Sequence, residues 1–134
     1  MKKKKYLALF LAAISVALLF TGCNKGKYGE DTKVKSEEIT HSLVQALAEG
    51  AYEKAADDFL YTTKAKEEMD AQALERLWEK LSDGKGDFRE IAGLEDDNWD
   101  KDLKITVTCS FEKGTAELVV AFDRTVKIKS IYPG

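Results

Sequence analysis

The stretch from Ile105 to Phe122 leaves the chain little latitude. Ile105, Val107, Cys109 and Phe111 alternate with Thr106, Thr108, Ser110 and Glu112. Beyond Lys113-Gly114, Ala116, Leu118, Val120 and Phe122 alternate again. A period of two puts one set of side chains on a single face, so each run reads as a half-buried strand and the pair as a hairpin. Asp123-Arg124-Thr125 makes a second turn, and Val126, Ile128 and Ile131 form a further strand with lysines between them. Phe88 to Leu94 is an earlier strand whose alternation is out of phase. A meander with one apolar face must lay that face against another layer.

The first half of the chain supplies that layer. Ser36 stands as an N-cap, with Glu37 and Glu38 in the first turn, where the helix dipole favours negative charge. Ile39, Leu43, Ala46 and Leu47 follow at helical spacing, and Gly50 closes the helix. Tyr52, Ala55, Ala56, Phe59 and Leu60 mark a second, shorter helix. Asp70 caps a third, whose stripe is Leu74, Leu77, Trp78 and Leu81 and which Gly84 and Gly86 end. Helices first and antiparallel strands after is the α+β pattern, with the helices covering one face of the sheet.

The front of the chain is of another kind. Lys2 to Lys5 precede Tyr6 to Phe20, 15 residues without a charge. A membrane-spanning helix needs about 20 apolar residues, so this run suits the apolar segment of an export signal. Leu19-Phe20-Thr21-Gly22-Cys23 resembles the lipobox of bacterial lipoproteins, with Phe20 where the family usually has leucine. The resemblance implies that the Cys23 thiol receives a diacylglyceryl group and that the signal is cleaved before it. The palmitate-type chains then hold the protein at the extracytoplasmic face of the cell membrane, since each buried methylene contributes about 0.8 kcal/mol and two chains give stable anchoring. The domain plan is a signal peptide at 1–22, a lipidated cysteine and flexible tether at 23–35, and a single α+β domain at 36–134. Asn24 to Lys35 buries little and reaches on the order of 20 Å.

Loss of the four leader lysines takes the formal charge from −3 to −7. An acidic domain is a poor partner for nucleic acid and for anionic lipid surfaces. With Cys23 acylated, Cys109 is left alone, in an alternating apolar pattern, as a small buried hydrophobe.

The segments "EGAYEKAADDF", "LERLWEKL", "GKGDF" and "VTCSFEKGTAELVVAFDRTVKIKSI" together resemble a bacterial domain of unknown function, number 3887. Its members resemble the nuclear-transport-factor-2-like, or cystatin-like, superfamily. The resemblance spans about residues 36–132 and rests on Tyr52, Phe59, Trp78, the glycines before Phe88 and "FDRTVKI". It implies a cone, a curved antiparallel sheet wrapped around a helix, and implies no activity. The closing turn of such domains carries a glycine; Thr125 stands near that place.

Chemistry-bearing residues are sparse. Asp96, Asn98 and Asp100 match the first three ligand positions of a calcium loop, but Lys101 replaces the required glycine and Val107 the bidentate glutamate. The alternative is a solvated turn with Trp99 tucked back on the domain. His41, the only histidine, lies off the apolar stripe and is expected at the surface. No nucleophile elbow and no phosphate loop occur. Asp57, Asp58, Tyr61 and Asp123 are acid–base candidates by residue type alone, with Asp57 and Asp58 expected to face water. Neither a cofactor nor a metal is expected. A cone of this kind can leave an apolar pocket at its open end, which would be lined by Tyr52, Phe59, Trp78, Phe111 and Phe122. The resulting expectation is a lipid-anchored, non-catalytic domain that binds a small apolar ligand, a peptide or an envelope protein. Two alternatives stand beside it: a homodimer through the sheet face that Val119 and Ala121 make apolar, and an acid–base enzyme with a carboxylate in the cone. The anchor has a direct test: Cys23→Ser is expected to abolish incorporation of radiolabelled palmitate, and undiminished label would remove the anchor.

Overall fold

The computed structural model describes residues 29–97 and 102–134. The signal segment, Cys23 and the start of the tether lie outside the described residues, as do Asn98, Trp99, Asp100 and Lys101 of the acidic loop. Among the described residues, helices α1 (Glu30–Ala48), α2 (Tyr52–Asp57), α3 (Thr63–Glu68) and α4 (Ala71–Ser82) precede strands β1 (Phe88–Asp97), β2 (Leu103–Phe111), β3 (Gly114–Phe122) and β4 (Ile128–Pro133). The strands form one four-stranded antiparallel meander in the order β1-β2-β3-β4. The fold is α+β.

Register places the alternating residues as the period predicts. Ile105 lies opposite Val120, and Val107 opposite Leu118. Val120 in turn faces Ile131. These residues, with Leu103, Cys109, Phe111, Phe122 and Ile128, are buried under the helices. Helix α1 contacts β1 and β2, while α4 reaches β3 and β4. Trp78 from α4 meets Phe111 and Phe88 with ring centroids 5.7 Å away in each case. Phe88 and Phe111 meet edge-on at 5.8 Å. Offset and edge-to-face contacts of this kind add about 0.5–1.5 kcal/mol each beyond area burial.

Helix α4 carries the expected cap, the Asp70 carboxylate accepting from Ala73 N–H at 2.8 Å. Gly50, at φ 77°, ends α1. Its N–H donates to Leu47 O and that of Ala51 to Ala46 O, which satisfies the last carbonyls in the manner of a Schellman motif.

Four local expectations change. Helix α1 begins at Glu30, so Ser36 is not an N-cap but a buried residue inside the helix, and residues 30–35 are helical rather than spacer. The reason is a buried stripe, Lys33, Ser36, Thr40, Leu43 and Leu47, that keeps helical spacing while its first half is polar. The second helix stops at Asp57; Leu60 is 69% exposed, and the next residues run beside β4, with Ile128 N–H donating to Leu60 O. Helix α3, which no apolar stripe announces, is capped by the Thr62 hydroxyl and buries only Ala65. Strand β1 extends through Asp97, and register shifts between Phe88 and Glu90 and between Ile91 and Gly93 account for its broken alternation.

The turn before β4 also departs from expectation. Val126, not Thr125, takes the left-handed conformation at φ 64°. For a β-branched residue this is a strained state, costing about 1–2 kcal/mol. Three hydrogen bonds to Asp123 Oδ1 hold it, from Thr125 N at 2.8 Å, Thr125 Oγ1 at 2.7 Å and Lys127 N at 3.0 Å.

Burial orders the stability effects. Phe122→Ala and Trp78→Ala are expected to cost about 3–5 kcal/mol each, against less than about 0.5 kcal/mol for Leu60→Ala. Urea unfolding of the three variants measures the difference.

Candidate functional site

An open depression of about 630 Å³ lies where the start of α2 meets the start of α4. It is lined by Gly50, Ala51, Tyr52, Glu53 and Lys54 on one side and by Ala71, Gln72 and Glu75 on the other. The Schellman turn at Gly50 sets one wall, because it redirects the chain straight into α2. The Asp70 cap sets the other by fixing the start of α4. Tyr52 is half-buried and packs against the core. Burial, then the negative charges of Glu75 and Glu79, push its phenol above the usual tyrosine range. The depression is therefore lined by one aromatic side chain and by more acidic groups than basic ones.

Of the five aromatic residues expected to line a pocket, only Tyr52 lines this one. Trp78, Phe111 and Phe122 are 6%, 4% and 0% exposed and fill the space between helices and sheet. Phe59 is half-buried against the same core.

A second cluster was not anticipated. Lys33 is 1% exposed, and its Nζ lies 3.0 Å from Asp96 Oδ2 near the end of β1. Apart from each other, neither atom has a hydrogen-bond partner among the described residues. Glu37, one turn further along α1, feels burial first and the Asp96 charge second; together these outweigh Lys33 and raise its carboxyl above the ordinary range. Ser36 is fully buried nearby in the helix, and its hydroxyl has no hydrogen-bond partner among the described residues. Thr40 turns its hydroxyl back on Ser36 O at 2.7 Å. Only the helical spacing of these polar residues could have revealed the cluster.

The remaining candidates are dispersed. Asp57 and Asp58 are exposed as expected, and Asp57 pairs with Lys66 at 3.4 Å. Tyr61 donates to Ala55 O at 2.7 Å, and burial raises its phenol. His41 is half-buried rather than at the surface, and burial lowers its imidazole. Burial pushes the Cys109 thiol up to about 12. Burial raises the Asp123 carboxyl, but the hydrogen bonds from Lys127 and Thr125 and the Lys127 charge outweigh it and leave it below the ordinary range. Asp96 is committed to Lys33, which makes it a poor calcium ligand. Among the described residues no group of three His, Cys, Asp or Glu side chains is placed to hold a metal ion. None of the described helices is long and apolar enough to cross a membrane. On the outer sheet face Val119 and Ala121 are 8% and 2% exposed, flanked in register by Thr106, Tyr132, Lys104 and Ser130.

A family model described as "Protein of unknown function (DUF3887)" matches residues 40–131. The chain belongs to this family. No curated protein and no solved structure matches it. Within this DUF3887 domain, Tyr52, Phe59 and Trp78 are packing positions, and Gly84 and Gly86 form the turn into β1 with φ of 72° and 79°. A Cβ on Gly86 would stand 2.7 Å from Glu112 Oε1, the atom that accepts from Asp87 N–H at 3.0 Å.

The two perturbed carboxyls predict opposite pH effects. Asp123 binds its proton less tightly folded than unfolded, so its stabilising effect is present above the ordinary Asp value and lost as pH falls from that value through the lowered one. Glu37 binds its proton more tightly folded, so stability is lost as pH rises from the ordinary Glu value through the raised one. Denaturation midpoints between about pH 2 and 7 should show Asp123→Asn removing the first trend and Glu37→Gln the second.

Proposed function

We propose that this DUF3887 domain is a lipid-anchored, non-catalytic module at the extracytoplasmic face of the cell membrane that captures an extended peptide segment of an envelope protein. The leader and Cys23 supply the anchor. The sheet is the curved wall of a cystatin-like cone, in the manner of the nuclear-transport-factor-2-like superfamily.

The observation that carries this reading is the depression at Tyr52, taken together with the filled interior. Because Trp78, Phe111 and Phe122 occupy the space beneath the sheet, a small apolar molecule is disfavoured and binding moves to the surface. Tyr52 offers a ring and a hydroxyl, Gln72 an amide, and Glu53 and Glu75 two negative charges against the one positive charge of Lys54. That set suits a segment carrying lysine or arginine, whose cation can lie over the ring between the carboxylates. Asp57 and Asp58 are open to water and do not line the depression, and Asp123 is stabilised in its charged form, which does not favour a base at neutral pH. The outer sheet face has Val119 and Ala121 already covered, which favours peptide capture over homodimerisation.

A photo-crosslinking residue tests the site in the full-length chain in its own membrane. Placed at Gln72 it should yield a discrete protein adduct, and Tyr52→Ala should reduce that adduct at least about tenfold, as loss of an aromatic hot spot does. Placed at Lys113, next to Lys85 beyond the far end of α4, it should yield none. Equal adducts at both positions would overturn the assignment.

A further inference from the structure

The buried stripe of α1 divides into two halves of different character. Its C-terminal half presents Leu43, Val44, Ala46 and Leu47, none more than 5% exposed. Its N-terminal half presents Lys33, Ser36 and Thr40, all 1% exposed or less. Apolar burial stabilises the first half at about 1.5–3 kcal/mol for each large side chain. The second half has no such gain from these three residues. The Thr40 hydroxyl bonds within its own helix, and the Ser36 hydroxyl bonds nothing described. Across the seam the polar contact is the Lys33–Asp96 pair at 3.0 Å. Desolvation of a buried ion pair cancels much of its attraction, so replacing such a pair with apolar groups is often neutral or stabilising. At the helix start Gly29 precedes α1 without a side-chain cap, and Glu30 and Asp31 in the first turn supply only the dipole term, about 0.3–1 kcal/mol each.

We propose that residues 30–40 of α1 form a latch that detaches from the sheet while the rest of the domain stays folded. The catch is the Lys33–Asp96 pair. Asp96 lies opposite Ile105, which is opposite Val120, which is opposite Ile131, so lifting the latch uncovers one end of the inner sheet face along that rung. The hinge falls between Thr40 and Leu43, where the stripe turns apolar. Gly29 is the residue by which this end of the helix joins the preceding chain. Local opening at free energies below global unfolding is the property such elements share.

Hydrogen exchange followed by mass spectrometry on the full-length chain in detergent tests the latch. Amides of residues 34–40 are expected to exchange at least about tenfold faster than those of 44–48. The double variant Lys33→Met/Asp96→Leu, which replaces the pair with apolar side chains, should slow exchange in 34–40 about tenfold and leave 44–48 unchanged. Asp96→Asn, which strands the buried lysine, should speed exchange in 34–40 alone. Equal protection of the two segments in the parent chain would overturn the proposal. So would a double variant that moves both segments together or neither; that variant decides if Asp96→Asn does not fold.

Discussion

Leu103, Ile105, Val107, Cys109 and Phe111 stand in one row on β2, each 4% exposed or less. The row is central in two senses. It lies in an interior strand with β1 and β3 bonded on either side, and it forms the surface on which α1 rests. Each large side chain in it contributes on the order of 1.5–3 kcal/mol by leaving water. The other elements take their positions from the need to keep this row dry. Helix α1 covers it directly, α4 extends the cover to β3 and β4, and α2 links the two helices. The segments with the fewest buried apolar side chains are α3 and the start of α1.

How the row is covered decides where the surface is concave. Trp78 comes down from α4 onto Phe111 and Phe88 and closes the space beneath the sheet with rings. Concavity survives where two helix starts meet at an angle, beside Gly50 and Asp70. Both walls there are set by local backbone chemistry, a left-handed glycine and a carboxylate cap. The depression is thus a consequence of how two helices end and begin, and the core can tolerate repacking without altering it.

Much of this was legible in the residues. The hairpin from Ile105 to Phe122 and the helix after Asp70 have clean periods and clear punctuation, and both appear with the expected faces. Strand β1 was obscured because two bulges reset its phase. The start of α1 was obscured because Lys33, Ser36 and Thr40 occupy core positions with polar groups, so hydropathy and helical spacing gave contradictory signals. Helix α3 has a cap and almost no buried face, which leaves periodicity nothing to detect. The site was half legible. An aromatic residue on an apolar stripe looks the same in sequence whether it walls a pocket or fills one, so Tyr52 and Trp78 could not be told apart. Gln72 and Glu75 lie on the polar side of α4 and join the site only because α2 packs beside them.

Cys109 sits in the middle of the β2 row with no exposed surface and a thiol that holds its proton far above neutral pH. An oxidant or alkylating reagent does not reach this thiol while the domain is closed, because thiolate and access are both withheld. The same atom becomes reactive once the sheet parts. The protein therefore carries its own gauge of integrity: the rate at which this thiol is modified counts how often the sheet opens around it.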